Sequence, residues 1–460
     1  MISQGTIVAI ATPSGAGALG IIRLSGPEAQ QILAPYFKAK SGKKLLDLAP
    51  KETAFGTLQQ EDGRLLDEVL LCCFNAPNSF TGENVVELSC HGSSYILQEV
   101  VQLCLRNGAV PAQAGEFTLR AFLNKKMDLS QAEAVADLIA SDSKAAHTVA
   151  LQQMRGGYSK EIQELRQELL NFASLLALEL DFSEEDVEFA DRKELLELLE
   201  QLLKKIESLV ASFSYGSVLK TGIPVAIAGK PNAGKSSLLN AFLNEDKAIV
   251  SDIAGTTRDS IEDTLVIDGV RFRFIDTAGI RDTEDSIEAM GVARALAQVK
   301  KAQLLLYVFD CSTASPDEVI SAIKAIDRPE LNVLAIGNKT DLVTAAQRAK
   351  FENIQPNYPL HFISTRDTAT IKALQQILVA DVKHTTTGTD IVVTNARHYS
   401  ALNTAASAIK TTRNSLIEGV SEDLVSVDLQ VAINALGEVT GAFSTDELLG
   451  NIFANFCIGK

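Results

Sequence analysis

The chain has 460 residues, with 42 Lys+Arg against 58 Asp+Glu and a formal net charge of -16. That balance excludes a sequence-blind nucleic-acid coat, which needs broad positive potential; any nucleic acid must meet a local basic patch or a partner's surface. Hydrophobic residues at 46% and charged residues at 22% provide for several cores and exclude wholesale disorder, and at roughly 100–200 residues per domain the length implies two to four domains. Cys72, Cys73, Cys90, Cys104, Cys311 and Cys457 show no CxxC spacing and read mostly as reduced thiols packed as small hydrophobes. No basic segment precedes the first apolar residues, and no apolar run reaches the ~18 residues of a spanning helix. A cytosolic protein without a membrane anchor is the expectation.

In chain order, β-rich runs at 7–11, 21–24, 69–74 and 85–89 alternate with helical segments at 29–36 and 94–106. This is the texture of an α+β or α/β unit. After about Ser130, Ile162, Leu165, Leu169, Phe172 and Leu176 recur at helical spacing, as do Leu195, Leu199, Leu202, Ile206 and Leu209. They predict two amphipathic helices meeting at an acidic break, 181–191, which reads as a solvated loop or helix start. Tyr215-Gly216-Ser217 and Thr221-Gly222 read as a boundary. Strand candidates at 225–228, 272–276, 304–310, 333–338 and 360–364 then alternate with helices, which implies a parallel sheet with helices on its faces. A Thr/Gly stretch at 385–389 closes this unit. The remainder is helical again, and from Asn414 to Gly459 it has seven acids and no Lys or Arg. Helical segments on both sides imply one helical domain with the α/β domain inserted; two separate helical units are the alternative.

The segment Gly229-Lys230-Pro231-Asn232-Ala233-Gly234-Lys235-Ser236 fits GxxxxGK[ST], with a strand before it and a helix after it from Ser237. That is the context a phosphate loop requires. Its backbone N–H groups face phosphate oxygens, Lys235 reaches the β/γ-phosphates, and the Ser236 hydroxyl binds Mg²⁺. Asp276-Thr277-Ala278-Gly279 ends the next strand; Asp276 suits the Mg²⁺ shell and the Gly279 N–H suits a γ-phosphate. Between them lies Ile253-Ala254-Gly255-Thr256-Thr257-Arg258, preceded by Ser251-Asp252, and a threonine there, Thr257, can complete the Mg²⁺ shell when the loop orders around triphosphate. In Asn338-Lys339-Thr340-Asp341, the carboxylate can accept from both N1–H and the 2-amino group of guanine. Adenine offers neither donor in that geometry, so GTP is expected over ATP. Each tetrapeptide alone fits a polar turn equally well; their order and context argue for the site. In Ras-type enzymes a Gln just after DxxG often orients the attacking water. Here Ile280 stands there and cannot do so. Arg281, Asp282, Glu284, Asp285 and Glu288 follow, and side-chain chemistry alone does not choose among them.

These motifs resemble the Era/Der/MnmE group of TRAFAC-class GTPases, with Pro-Asn inside the phosphate loop. The ends of the chain narrow the resemblance to the MnmE family, also called TrmE. They are Thr12-Pro13 with Gly20-Ile21-Ile22-Arg23-Leu24-Ser25-Gly26, then Phe80-Thr81-Gly82-Glu83-Asn84-Val85-Val86-Glu87-Leu88, Gly115-Glu116-Phe117, Arg120-Ala121-Phe122-Leu123-Asn124, and the terminal Phe456-Cys457-Ile458-Gly459-Lys460. The resemblance covers essentially the whole chain and implies a multidomain α/β protein. Its parts are an α+β tetrahydrofolate-binding and dimerisation domain at 1–121, an all-α helical domain in two pieces at 122–217 and 384–460, and an inserted Ras-like P-loop G domain with a mostly parallel sheet at 218–383. The implied activity is that of a homodimeric cytoplasmic tRNA modification GTPase. With its FAD-dependent partner MnmG, such a protein adds an aminomethyl or carboxymethylaminomethyl group to C5 of wobble uridine. The one-carbon unit comes from 5-formyl- or methylene-tetrahydrofolate.

By matching position, the resemblance assigns Arg23, Glu87, Lys126 and Lys460 to the folate. A carboxylate suits the donors of a pterin, and cations suit a glutamyl tail. The alternative for each is a surface salt bridge. For Lys460 it is a frayed tail, against which Phe453, Phe456 and Ile458 are apolar enough to dock the terminus. Asn232 with Ser251, Ile253 and Thr256 would bind K⁺, which with GTP brings two G domains together and stabilises developing charge as an arginine finger does. Glu288 matches the water-positioning glutamate; otherwise it is an ordinary exposed helix residue. Cys457 is either a thiol near the folate or RNA chemistry or a buried small hydrophobe. Two positions depart from the family pattern. Ser364-Thr365-Arg366 replaces Ser-Ala-Lys or Ser-Ala-Arg, and the N–H at 365 can still face guanine O6. His91-Gly92-Ser93 replaces His-Gly-Gly; if that second glycine needs positive φ, Ser93 costs about 1 kcal/mol or more there. His91 reads as a structural hydrogen-bonder, and without His/Cys metal spacing only Mg²⁺ and K⁺ are expected. Two rival readings stand beside this one. A ribosome-assembly GTPase like Era or Der would carry a KH-type module with a GXXG loop, which Gly15-Ala16-Gly17-Ala18 does not match. A folate-dependent aminomethyl transferase with a regulatory G domain is the other.

Overall fold

Segments 53–59 and 65–74 alternate buried and exposed side chains, the pattern of strands with one face on a core and one in water. They belong to the first of two units in a computed structural model that describes residues 5–181, 192–246, 263–275, 302–329, 331–354, 357–384, 392–454 and 456–459. Met1–Ala140, Ala150–Ile206 and Ala401–Lys460 make one unit; Ser141–Val149 and Glu207–Ser400 make the other.

The first unit holds a seven-stranded sheet. Its strands are β1 (Ile7–Ile10), β2 (Leu19–Ser25), β3 (Phe37–Ala39), β4 (Thr53–Gln59), β5 (Leu65–Phe74), β6 (Val85–His91) and β7 (Val110–Pro111). The order is β3-β4-β5-β6-β2-β1-β7, antiparallel except for β1 beside β7. Ile22, Leu24, Leu71 and Leu88 of the sheet share a core with Val100 and Leu103 of the Ser94–Arg106 helix. In the helical part of this unit, Gly157–Asp181 packs along Glu422–Thr440. Ile162, Leu165, Leu169 and Leu176 are buried, as are Val425, Leu429, Ile433 and Leu436.

The second unit holds a six-stranded sheet of β8 (Ile223–Ala228), β9 (Asp263–Ile267), β10 (Val270–Phe274), β11 (Leu304–Asp310), β12 (Asn332–Asn338) and β13 (Leu360–Phe362). The order is β13-β12-β11-β8-β10-β9, with every pair parallel except the β9–β10 hairpin. Asp268 and Gly269, both at positive φ, make its two-residue turn. β8 is buried along its whole length and β11 nearly so, as strands covered on both faces must be. Among the described residues no helix is long and apolar enough to cross a membrane.

The strand at 304–310 and the helix at 94–106 coincide with the sequence reading, while the expected helix at 29–36 stops at Leu33. Strands β3, β4, β7 and β9 are additions. β4 is masked in sequence by Gly56, yet a Cβ there would sit 2.3 Å from the Lys38 carbonyl oxygen of β3. The glycine permits close approach of the neighbouring strand. The expected break at Tyr215-Gly216-Ser217 is helical instead; Arg192–Thr221 runs through it and stops at Gly222, φ +84. Gly216 serves packing, since its Cβ would lie 2.1 Å from the Val393 carbonyl oxygen, and the Val393 N–H donates to Ser212 Oγ at 3.0 Å on the same helix. The acidic run 182–191 and residues 385–391 lie outside the described residues.

Gly216→Ala tests this reading. Alanine gains about 1 kcal/mol of helix propensity, but overpacking against Val393 costs roughly 1–3 kcal/mol. Urea denaturation is expected to show a net loss of stability, and a more stable variant would show that the close approach is dispensable.

Candidate functional site

The phosphate loop leaves β8 at Gly229, where φ is +148 and a Cβ would lie 2.0 Å from the Val308 carbonyl oxygen. Asn232 at φ +61 and Gly234 at φ +97 complete a curl of left-handed residues, the backbone geometry that gathers N–H groups around an anion. Lys235 then opens the Lys235–Asp246 helix, with Ser236 and Ser237 in its first turn. The Lys235 ammonium bridges the loop, donating to the carbonyl oxygens of Gly229 at 2.8 Å and Lys230 at 2.9 Å. Burial pushes its pKa down, a pressure that an anionic partner relieves. The residues therefore fit a nucleotide triphosphate, and Ser236 offers its hydroxyl to a hard cation such as Mg²⁺.

The 338–341 and 364–366 segments meet this loop through one side chain. Asn338, at the buried end of β12, donates from Nδ2 to the Ala233 carbonyl oxygen at 2.9 Å. Its Oδ1 accepts the N–H of Lys339 at 2.7 Å and of Thr365 at 3.3 Å. Thr365 N–H, read as a partner for guanine O6, is thus directed at Asn338 in this structure. Lys339, at φ +62, pairs with Asp310 at 2.7 Å. Thr340 N–H donates to the Ile363 carbonyl at 3.2 Å. Ser364 Oγ donates to Asp341 Oδ1 at 2.8 Å, and Arg366 stands 4.0 Å from the other carboxylate oxygen. Asn232, Ala233, Gly234, Asn338, Lys339, Asp341, Ser364, Thr365 and Arg366 thus lie in one neighbourhood. Residues 251–257, Asp276, Thr277, Ala278, Gly279, Glu288 and Lys460 lie outside the described residues.

Asp310 was not singled out in the sequence. Burial opposes its ionisation, but hydrogen bonds from Lys339 and Ser312 outweigh it and hold the carboxyl below the usual range. Asp310 also lines a cavity of about 410 Å³ beside the phosphate loop, with Asn232, Ala233, Tyr307 and Glu318. Its position at the end of an apolar strand, 304–310, was the available signal.

In the first unit, Arg23 of β2 and Glu87 of β6 are cross-strand partners. They pair at 2.7 Å with both side chains partly exposed. The guanidinium lies 5.7 Å from the ring centroids of Phe80 and Phe117, and Nη1 donates to the Gly459 carbonyl at 3.4 Å. Ala114 bridges to Ile458, and Gly115 N–H donates to the Cys457 carbonyl at 3.3 Å. The terminal segment is therefore docked, but partly by backbone. Phe453 is buried and Phe456 half-buried, whereas Ile458 is 65% exposed. Lys126 donates to the Pro77 carbonyl at 2.9 Å, in the loop that also carries Phe80. A cation, a carboxylate and aromatic faces at one docked terminus could hold a flat heterocycle that offers hydrogen-bond donors.

The buried alternative for Cys457 and the strain expected at Ser93 are corrected. Cys457 is exposed rather than a buried hydrophobe. Cys72 is only partly buried, while burial pushes the thiols of Cys73 and Cys90 up to about 11 and those of Cys104 and Cys311 up to about 12. Ser93 has φ -76 and carries no left-handed strain; the close approach is at Gly92, where a Cβ would lie 2.4 Å from the Gly17 carbonyl. His91 Nδ1 and its backbone N–H both bond the buried Asp67 carboxylate, at 2.7 and 2.8 Å, the structural role read from the sequence.

Comparison with known proteins agrees with this geometry. A family model described as "GTP-binding protein TrmE N-terminus" matches residues 6–126, and one described as "MnmE helical domain" matches residues 129–457. A Flavobacterium johnsoniae protein named tRNA modification GTPase MnmE is 51% identical, with 100% of each chain covered. A Bacteroides thetaiotaomicron protein of the same name is 50% identical, again with 100% of both chains covered. A Porphyromonas gingivalis protein so named is 45% identical over 100% of this chain and 98% of its own. The resemblance read from the loop motifs and the chain ends is borne out, and the chain belongs to the MnmE (TrmE) family.

Proposed function

We propose that this chain hydrolyses GTP and serves in the modification of tRNA, the activity its relatives' names carry. The observation that supports the reading best is the double attachment of Asn338. It holds the phosphate loop at Ala233 and the 364–366 loop at Thr365, with Asp341 on the adjoining turn. A base-reading carboxylate is thereby tied to a phosphate-binding loop. Residues 218–383 act as the G domain, between a folate-binding 1–121 and a helical domain at 122–217 and 384–460. Lys235 and the N–H groups of Asn232 to Ser237 hold the β/γ-phosphates. Ser236 and Thr257 complete the Mg²⁺ shell, with Asp276 supporting it and the Gly279 N–H on the γ-phosphate. Asn232, Ser251, Ile253 and Thr256 hold K⁺ as two G domains pair within a homodimer, and Glu288 orients the attacking water.

In the first unit, Arg23, Glu87, Lys126 and Lys460 bind 5-formyl- or methylene-tetrahydrofolate, which supplies the one-carbon unit. The Phe80 and Phe117 rings beside Arg23, next to the Gly459 carbonyl, support this assignment, while the Arg23–Glu87 pair is itself the salt-bridge alternative. With the FAD-dependent partner MnmG, the cytoplasmic complex installs an aminomethyl or carboxymethylaminomethyl group on C5 of wobble uridine.

Nucleoside mass spectrometry of bulk tRNA tests the function. Cells lacking this protein are expected to lose 5-aminomethyl-type uridines, and the wild-type chain but not Lys235→Ala to restore them. An unchanged profile, with no redundant enzyme present, moves the function to ribosome assembly or another switch. Asp341→Asn is expected to lower GTP affinity roughly 10–100-fold, the value of a charge-assisted hydrogen bond of about 1.5–3 kcal/mol, and to favour xanthosine triphosphate. Retained GTP preference removes the guanine assignment. Steady-state turnover tests the catalytic roles. Glu288→Ala is expected to slow hydrolysis by about 100-fold or more with nucleotide binding nearly intact, and Na⁺ in place of K⁺ to lower the wild-type rate. Equal rates reject the residue and the cation in turn.

A further inference from the structure

The helical part of the first unit contains a cavity of about 680 Å³ whose charge is opposite to that of the chain. Its walls carry Lys125, Lys126, Lys160 and Arg166 against one carboxylate, Asp128. That carboxylate is already committed. Asp128 Oδ1 accepts the Gln131 N–H at 2.9 Å and the Ser130 hydroxyl at 3.0 Å, capping the Leu129–Ala140 helix. Arg166 is half-buried and lies over the Phe443 ring at 5.2 Å. Its Nε is buried with no hydrogen-bond partner, and it has no carboxylate partner among the described residues. Lys160 has only a loose, exposed contact with Glu164 at 3.9 Å. Lys125 is held at φ +57. Four cations gathered around one committed carboxylate repel one another, and a guanidinium without an anion among the described residues is set up to receive one from outside.

We infer that this cavity seats a stretch of tRNA sugar–phosphate backbone. The inference rests on the tRNA reading above and deepens it, because an acidic chain can meet RNA only through a confined positive patch. Arg166 offers a planar fork that matches two oxygens of one phosphate, with its far face covered by Phe443. Lys125, Lys126 and Lys160 add point charges along the rim. Contacts of this kind fix position and carry no base sequence.

Fluorescence anisotropy of the full-length chain with labelled bulk tRNA, titrated across salt, tests the inference. Lys160→Gln and Arg166→Gln are each expected to weaken binding several-fold and to reduce the slope of log K against log salt by about 1. Lys43→Gln, which removes an equal charge from an exposed pair with Glu52, is expected to leave the slope unchanged. Lys160 is fully on the surface, so its variant reports even where Arg166→Gln fails to fold. Unchanged slopes in both variants overturn the inference. So does loss of 5-formyl-tetrahydrofolate polyglutamate affinity with tRNA binding intact, which gives the cavity to carboxylates. A wild-type chain that binds no tRNA, in cells whose uridine modification depends on it, overturns the cavity alone. An unaltered uridine profile in the deletion strain overturns the underlying reading.

Discussion

Arg120 carries the first unit. It is 3% exposed, and a lone cation at that depth costs more than the fold can spare. Glu83 meets one end of the guanidinium at 3.0 Å and Glu116 the other at 2.9 Å, while the Gly5 carbonyl accepts a further bond at 3.0 Å. Glu83 also accepts the Ser25 hydroxyl at 2.7 Å, and Ser25 bonds Thr81 at 2.7 Å. One ionic cluster thereby joins the end of β2, the loop before β6 and the Glu116–Leu123 helix. Arg23 lies two residues before Ser25, on the same face of its strand. The cluster that neutralises Arg120 therefore also sets where Arg23 stands against Phe80 and Phe117. Truncating Glu116 costs about 3–5 kcal/mol, because the buried Arg120 is left short of an anion, and truncating the partly exposed Glu83 costs less.

The second unit solves a similar problem with a neutral group. Asn338 is 1% exposed and satisfies both ends of its amide across two loops. Gly234 makes room for it, since a Cβ there would lie 2.1 Å from Asn338 Nδ2. That glycine has two reasons to be a glycine. It permits the φ +97 turn of the 229–236 loop, and it admits the side chain that ties the 364–366 loop to that turn. An amide suits the position better than a carboxylate, because it donates on one side and accepts on the other.

The legible and illegible parts of the fold divide along physical lines. Apolar runs of the right length declare strands such as 304–310, and period 3.6 declares the 94–106 helix, because burial alone dictates both. The phosphate loop is legible because its spacing is itself the chemistry. Gly216 misleads, because a missing side chain reads as a break when the real constraint is the Val393 carbonyl oxygen 2.1 Å from the absent Cβ, and Gly56 likewise stands against a carbonyl oxygen at 2.3 Å. Arg120 and Glu83 were visible only as parts of a family pattern. Their partnership spans residues far apart in sequence, and no local period records it. Ile458 reads as a docking side chain because it is apolar, and Cys457 as either buried or reactive, yet backbone bonds to Ala114 and Gly115 hold the terminal segment while both side chains are exposed.

Charge arrangement gives the basic cavity its meaning. A net charge of -16 makes most of the chain's surface unfavourable to a polyanion. At physiological salt, charges more than about 8 Å apart are largely screened from one another, so the cavity presents its own local potential rather than the average of the protein. Arg166 is half-buried in the cavity wall, and the exposed Lys125, Lys126 and Lys160 beside it gather their potential in one place. On this proposal the net charge of the protein disfavours an RNA and the cavity retains it. The acidic surface then contributes to recognition by limiting the orientations in which a tRNA can be held, while the affinity comes from few contacts and stays sensitive to salt.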